Sequence, residues 1–301
     1  MNKIPYDASR KSLYKPGEAG DFFLFGIDLT NDANLCAEMS RLAYVKEEHQ
    51  LKAYLERAGF ELYWSIGYGK KGTQVFIAKT KQNTDSPKLV AAFRGTEGDD
   101  SSDLLADAIL LKTPWFDALG NPSGEVHTGF ANALLADSSN GNILEKLNSR
   151  LNDLAGQFHD ILLTGHSLGA ALATLTADYL KQSPLANNIH LYTFGSPLVG
   201  DSVFSELMSD VKHERYVNCC DLVTRIPPES LGYRHTGVLH YIIRDGRVID
   251  SITEDDIAKD RLAAAAAYVA DYSYRLGTVW VRDLADHSPV NYLSGVAEIR
   301  S

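Results

Sequence analysis

Residues 161–174 read ILLTGHSLGAALAT, an apolar run that ends in Gly165-His166-Ser167-Leu168-Gly169 and continues into residues suited to a helix. This is the strand–turn–helix setting of a G-x-S-x-G nucleophile elbow. The serine must take a strained turn that presents Oγ, and a side chain two residues to either side would collide with the neighbouring strand and helix. Gly165 and Gly169 stand at those two places. A serine hydroxyl also needs a base to take its proton and an acid to orient that base. With this kind of elbow the acid and then the histidine follow the serine, which excludes His49, His127, His159 and His166 as the base. Asp221 is the favoured acid, because it closes the strand-like ERYVNCC and reactive groups of open α/β sheets gather beyond the carboxyl ends of strands. Asp201, after GSPLVG, is the competing carboxylate. His190 and His213 precede Asp221, whereas His235 and His240 lie in or beside a strand-like run. His287 lies in ADHSPVNY, a loop entering the last helix, from which a side chain can project over a site.

The elements that must position these groups follow from periodicity. Leu35, Met39, Leu42 and Ala43 put residues 34–46 on one helix, and residues 51–58 form a second that ends at Gly59. Strands are expected over 61–68, 73–79 and 88–93, the first two joined by a Gly-Lys-Lys-Gly turn at 69–72. The acidic residues 97–103 precede a short amphipathic helix over 104–111, and further helices are expected at 131–136 and 142–154. Later strands cover 189–194, 214–220, 238–243 and 247–252, the last two flanking Asp245-Gly246 as a hairpin, before an alanine-rich helix over 259–275. Residues 1–30 lack periodicity and are read as an extension wrapping the outside. Helices and strands interleave without a linker or repeat, so residues 1–301 read as one α/β domain.

Composition excludes several function classes. Apolar residues make up 45% and charged residues 23%, as in a globular protein, and the net charge of −10 gives no electrostatic reason to bind nucleic acid. The same charge disfavours anionic membranes but not neutral lipid or small esters. No stretch approaches the ~20 apolar residues of a membrane span, and the first residues, MNKIPYDASRKSLYKPGEAG, lack the apolar core of a signal peptide. The three cysteines, Cys36, Cys219 and Cys220, cannot build a disulfide framework, although one bridge from Cys36 stays open. Together these features favour a cytoplasmic protein over a secreted one. Residues 97–103 do not have EF-hand spacing, and no H-E-x-x-H or cysteine-pair pattern points to zinc.

Seven segments in order resemble the signatures of the class 3 lipases: FRGT (93–96), VHTGF (126–130), TGHSLGA (164–170), YTFGSPLVGD (192–201), NCCDLVTRIPP (218–228), YRHTG (233–237) and DHSPVNYL (286–293). The resemblance covers about residues 33–295, and the chain is identified as a bacterial-type member of this family of fungal-lipase-like esterases. It implies an α/β-hydrolase fold, with a mostly parallel central sheet flanked by helices, and hydrolysis of acylglycerols or related carboxyl esters, with a lipid–water interface as a setting. It further implies Ser167 as nucleophile, Asp221 as acid, His287 as base, and an oxyanion hole from the backbone N–H groups of Thr96 and Leu168, with no metal or cofactor. Residues 97–111 correspond to the lid, where Leu104 and four acidic residues stand in place of the fungal tryptophan-bearing helix. Residues 254–283 are a helical insert before His287. His127 and His235 fall on positions read as structural. An acyltransferase with the same triad and a non-catalytic binding protein are the alternatives.

Overall fold

Residues 89–93 and 161–163 are apolar at consecutive positions, a pattern for strands covered on both faces. The computed structural model describes residues 6–9, 22–23, 27–68, 72–81, 87–96, 111–136, 141–154, 156–158, 160–185, 188–272 and 282–298. It sets these two stretches side by side in the middle of an eight-stranded sheet. In chain order the strands are β1 (Phe60–Ile66), β2 (Val75–Thr80), β3 (Lys88–Phe93), β4 (Lys112–Phe116), β5 (Pro122–His127), β6 (Asp160–His166), β7 (Ile189–Phe194), β8 (Lys212–Asn218), β9 (Val238–Ile242) and β10 (Val248–Ile249). The large sheet runs β1-β2-β3-β6-β7-β8-β9-β10, and β4 pairs with β5 as a separate ribbon. From β3 to β9 the large-sheet neighbours are parallel, with Thr164 in register with Ala92 on one side and Tyr192 on the other. The outer pairs β1–β2, β2–β3 and β9–β10 are antiparallel.

Parallel neighbours need crossovers, and the crossovers cover the sheet with helices. The helices are α1 (Asp32–Leu42), α2 (Glu48–Arg57), α3 (Thr128–Leu135), α4 (Ile143–Asn152), α5 (Leu168–Leu180), α6 (Ser202–Leu207), α7 (Glu254–Tyr272), α8 (Arg282–Asp286) and α9 (Pro289–Val296). Because side chains alternate across a strand, Leu163 of β6 packs with α3, α4 and α5 in one core, while Leu162 packs with α1, α2 and α9 in the other. This α/β-hydrolase arrangement leaves the β6–α5 junction between two closed apolar layers. No helix among the described residues is long and apolar enough to cross a membrane.

Three details depart from the pattern-based expectation. The β4–β5 ribbon carries Pro114, Pro122 and Gly124 and lacks strand periodicity; the Asp117 carboxylate forms its turn by accepting from the N–H groups of Leu119 and Asn121. The alanine-rich helix begins at Glu254 rather than 259, since Thr253 accepts from the Asp256 N–H and the acidic first turn suits the helix dipole. The second strand of the late hairpin is only the pair Val248–Ile249. The acidic segment, helix and lid expected over 97–110 lie outside the described residues, as do 273–281 of the insert.

Candidate active site

Between the end of β6 at His166 and the start of α5 at Leu168, Ser167 alone makes the turn. Its φ of 59° and ψ of −129° are strained for any residue with a Cβ. The Ser167 N–H donates to the Phe194 carbonyl at 3.0 Å, tying the turn to β7. A Cβ on Gly165 would lie 2.2 Å from the Gly169 carbonyl oxygen, and one on Gly169 2.2 Å from that of Phe93. Both glycines are therefore required by backbone contact. Gly95, in the loop after β3, is equally constrained: its added Cβ would lie 2.5 Å from the His166 carbonyl oxygen.

His287 lies between α8 and α9, its ring against the elbow, with Nε2 at 2.9 Å from Ser167 Oγ and Nδ1 at 2.8 Å from Asp221 Oδ2. A carboxylate only accepts, so Nδ1 carries the proton and Nε2 offers its lone pair to the serine hydroxyl. Asp221 sits just past β8, turned by its N–H to the Asn218 carbonyl at 2.8 Å. Its Oδ1 accepts from the Val223 N–H at 2.9 Å, and its Oδ2 also accepts from the Tyr292 hydroxyl at 2.6 Å. Ser167, His287 and Asp221 are all buried. Thr96 and Leu168 both line a groove of about 1470 Å³, whose apolar wall includes Ile66, Ala133, Ile143 and Leu172.

Two residues behind this chain of contacts have no role in the sequence reading above. Tyr292, one helical turn beyond His287 on α9, holds Asp221 and also accepts from the Asn218 N–H at 3.0 Å. Tyr44, just past α1, bonds His166 Nδ1 at 2.8 Å. His166 Nε2 lies 2.7 Å from the His287 carbonyl oxygen, and the two rings lie tilted against each other at 4.6 Å between centroids. Because that oxygen only accepts, Nε2 donates and Nδ1 receives the Tyr44 proton. Burial, with the neighbouring His287, holds the His166 pKa well below the ordinary histidine value, so it packs as a neutral strut. Tyr292 lies within the segment DHSPVNYL, but only the packing of α9 on the sheet puts it beside Asp221.

The other candidate residues are engaged elsewhere. Asp201 caps α6 by accepting from the Phe204 N–H at 2.9 Å. His235 bonds the Thr224 carbonyl, and burial beside Arg215 lowers its pKa to about 3. His240 lies between Glu214 and Asp250, His213 between Thr193 and Thr236, and His127 caps α3 through the Gly129 N–H. All three cysteines are free and buried, and Cys36 belongs to the α1-side core while Cys219 and Cys220 pack on Ala264 of α7. Among the described residues, Cys219, Cys220 and Asp286 alone gather three possible metal-ligand atoms within 4.8 Å. Asp286 there already pairs with Arg282 at 2.9 Å and accepts from Tyr6 and from the Cys220 N–H.

The family model for lipase (class 3) matches residues 90–231, a span that holds β3, the elbow and Asp221. A secreted mono- and diacylglycerol lipase of Fusarium solani is 35% identical over 127 residues, covering 42% of this chain and 36% of that protein. A lipase of Rhizomucor miehei is 34% identical over 125 residues, covering 39% and 33%. The likeness to the class 3 lipases is carried by the middle of the chain, residues 90–231. A triacylglycerol lipase of Arabidopsis thaliana extends the likeness to 68% of this chain and 48% of its own length, at 26% identity. The matched region thus spans about a third of the first two relatives and about half of the third. Among solved structures, a lipase of Rhizopus microsporus var. chinensis matches with a TM-score of 0.56 at 24% identity over 71% of this chain and 73% of its own, which shows the shared fold.

These relatives correct the expectation of a cytoplasmic protein. The Fusarium relative is by name secreted, a finding that points towards secretion rather than the cytoplasm. Three cysteines say little about compartment, because a domain of this size is held by its apolar cores and needs no disulfides.

Proposed function

We propose that the chain is a serine carboxylic-ester hydrolase, a lipase or esterase that cleaves acylglycerols or related carboxyl esters through an acyl-enzyme. The observation that carries this reading is the buried contact chain Ser167 Oγ–His287 Nε2 at 2.9 Å and His287 Nδ1–Asp221 Oδ2 at 2.8 Å. In this reading His287 takes the hydroxyl proton as Ser167 attacks the ester carbonyl, and Asp221 holds the imidazole and balances its transient charge. The backbone N–H groups of Thr96 and Leu168 receive the oxyanion. His287 then protonates the leaving alcohol, and activates the water that releases the acid.

Gly95 supports the oxyanion assignment, because it sets the residue before Thr96 against the elbow, and Thr96 and Leu168 line the same groove. The apolar wall of the shared groove suits an acyl chain. The whole chain acts as one α/β-hydrolase domain in this proposal. Replacing Ser167 with alanine tests the reading through p-nitrophenyl ester hydrolysis. We expect turnover to fall to the level of the buffer while the fold persists; wild-type rates in that variant would remove the assignment.

A further inference from the structure

The turn that presents Asp221 begins with two adjacent cysteines. Their sulfurs lie 3.7 Å apart, Cys219 sits in the left-handed region at φ 28°, and both are buried. α7 of the insert closes over them: Ala264 packs on both, Arg261 Nε donates to the Cys219 carbonyl at 2.8 Å, and the Cys219 thiol donates to Asp260 Oδ2 at 3.3 Å. Cys220 is tied to the segment before His287, since its N–H donates to Asp286 at 3.0 Å. One pair of adjacent cysteines therefore touches the insert through its thiols and the residue preceding His287 through its backbone.

We propose that Cys219 and Cys220 are a redox modification site, a vicinal dithiol that a hydroperoxide converts to a disulfide and that thereby lowers ester turnover. Cys220, the slightly more exposed of the two, attacks the peroxide oxygen: an S–O bond forms, the O–O bond breaks, and alcohol or water leaves, giving a sulfenic acid. Cys219 sulfur then attacks the sulfenic sulfur, the S–S bond forms, the S–O bond breaks, and water leaves. Two thiols lose two electrons and two protons, and the hydroperoxide is reduced. Asp260 is placed to accept the Cys219 proton. That acceptor matters because the Cys220 contact and then burial keep the Cys219 thiol protonated.

Bond formation must bring the sulfurs from 3.7 Å to about 2.05 Å, which rotates the peptide linking them. That peptide carries the N–H bound to Asp286, and Asp221 is the next residue, so the acid moves away from His287. The loss of turnover rests on the hydrolase reading above, whereas the disulfide does not.

The test treats the full chain with hydrogen peroxide, follows intact mass and peptide mapping, and assays p-nitrophenyl ester turnover before treatment, after it, and after dithiothreitol. Activity in the reduced protein checks the hydrolase reading separately. We expect a loss of two mass units mapped to 219–220, a turnover at least tenfold lower, and recovery on reduction. C219S and C220S should keep reduced-state turnover and lose the response, and C220A serves if either serine variant is unstable. D260N should slow disulfide formation without preventing it. No disulfide at 219–220, a disulfide with unchanged turnover, or an equal loss in C220S and C220A would each overturn the proposal.

Discussion

At the scale of single residues, the contact chain depends on groups that hold the reacting ones. Asp221 accepts from His287, Tyr292 and the Val223 N–H, and Tyr292 is the member that can be removed without touching the backbone. A hydrogen bond to a charged group is worth about 1.5–3 kcal/mol. Tyr292→Phe keeps the ring on Phe194 and His166 but leaves Asp221 with fewer donors. We expect kcat to fall about tenfold to a hundredfold, which is what that energy gives if it is lost mainly in the transition state, with KM nearly unchanged. Steady-state kinetics decide it, and a rise in KM at constant kcat would mean that Tyr292 shapes binding and does not hold the acid. The alternative acid is separable in the same way. Asp201→Ala removes a helix cap and should cost about 1 kcal/mol of stability while sparing turnover, as thermal melting and the ester assay will read.

At the scale of elements, the site exists because β3 and β6 are parallel neighbours whose carboxyl ends meet at glycine. Gly95→Ala would push the loop carrying Thr96 off the His166 carbonyl, since the added carbon would lie 2.5 Å from that oxygen. The expected result is a rate loss on the order of a hundredfold, the value of one oxyanion donor, in a protein that still folds. Turnover within a few-fold of wild type would detach Thr96 from the oxyanion role. The central strands, and the three residues Ser167, Asp221 and His287 that the structure brings into contact, could be picked out in the sequence, because two-sided apolar runs, a glycine-flanked serine and the order of acid and histidine can be read along the chain. Tyr44 and the strut role of His166 were not, since the Tyr44–His166 contact spans 122 positions and exists only because α1 packs across β6. The β4–β5 ribbon escaped for a different reason: its strands carry proline and glycine, and side-chain hydrogen bonds from Asp117 define its turn. The adjacency of Cys219 and Cys220 was visible, but their cover by α7 was not.

At the scale of the whole molecule, the fold buries neutral histidines whose protonation it does not tolerate. Burial lowers the pKa of His166 and His213 well below the ordinary value and that of His235 to about 3, Arg215 adding to the effect at the last two. In the unfolded chain each takes up a proton near pH 6.5, so between that pH and the folded value the unfolded state binds more protons. Stability is then complete above about pH 6.5 and falls as the pH drops through the window, by at most ~1.4 kcal/mol per pH unit for each histidine. His213 is the cleanest probe, because it lies outside the contact chain and bonds only neutral hydroxyls, those of Thr193 and Thr236. Urea unfolding at pH 7.5, 6.0 and 5.0 should show a steady decline in wild type. His213→Gln, which retains an acceptor and a donor but cannot take up a proton, should be less stable at pH 7.5 and show a shallower decline towards pH 5.0. Parallel pH slopes in the two proteins would mean that His213 is protonated in the folded state as readily as in the unfolded one, and that its burial does not set the acid limit of this fold.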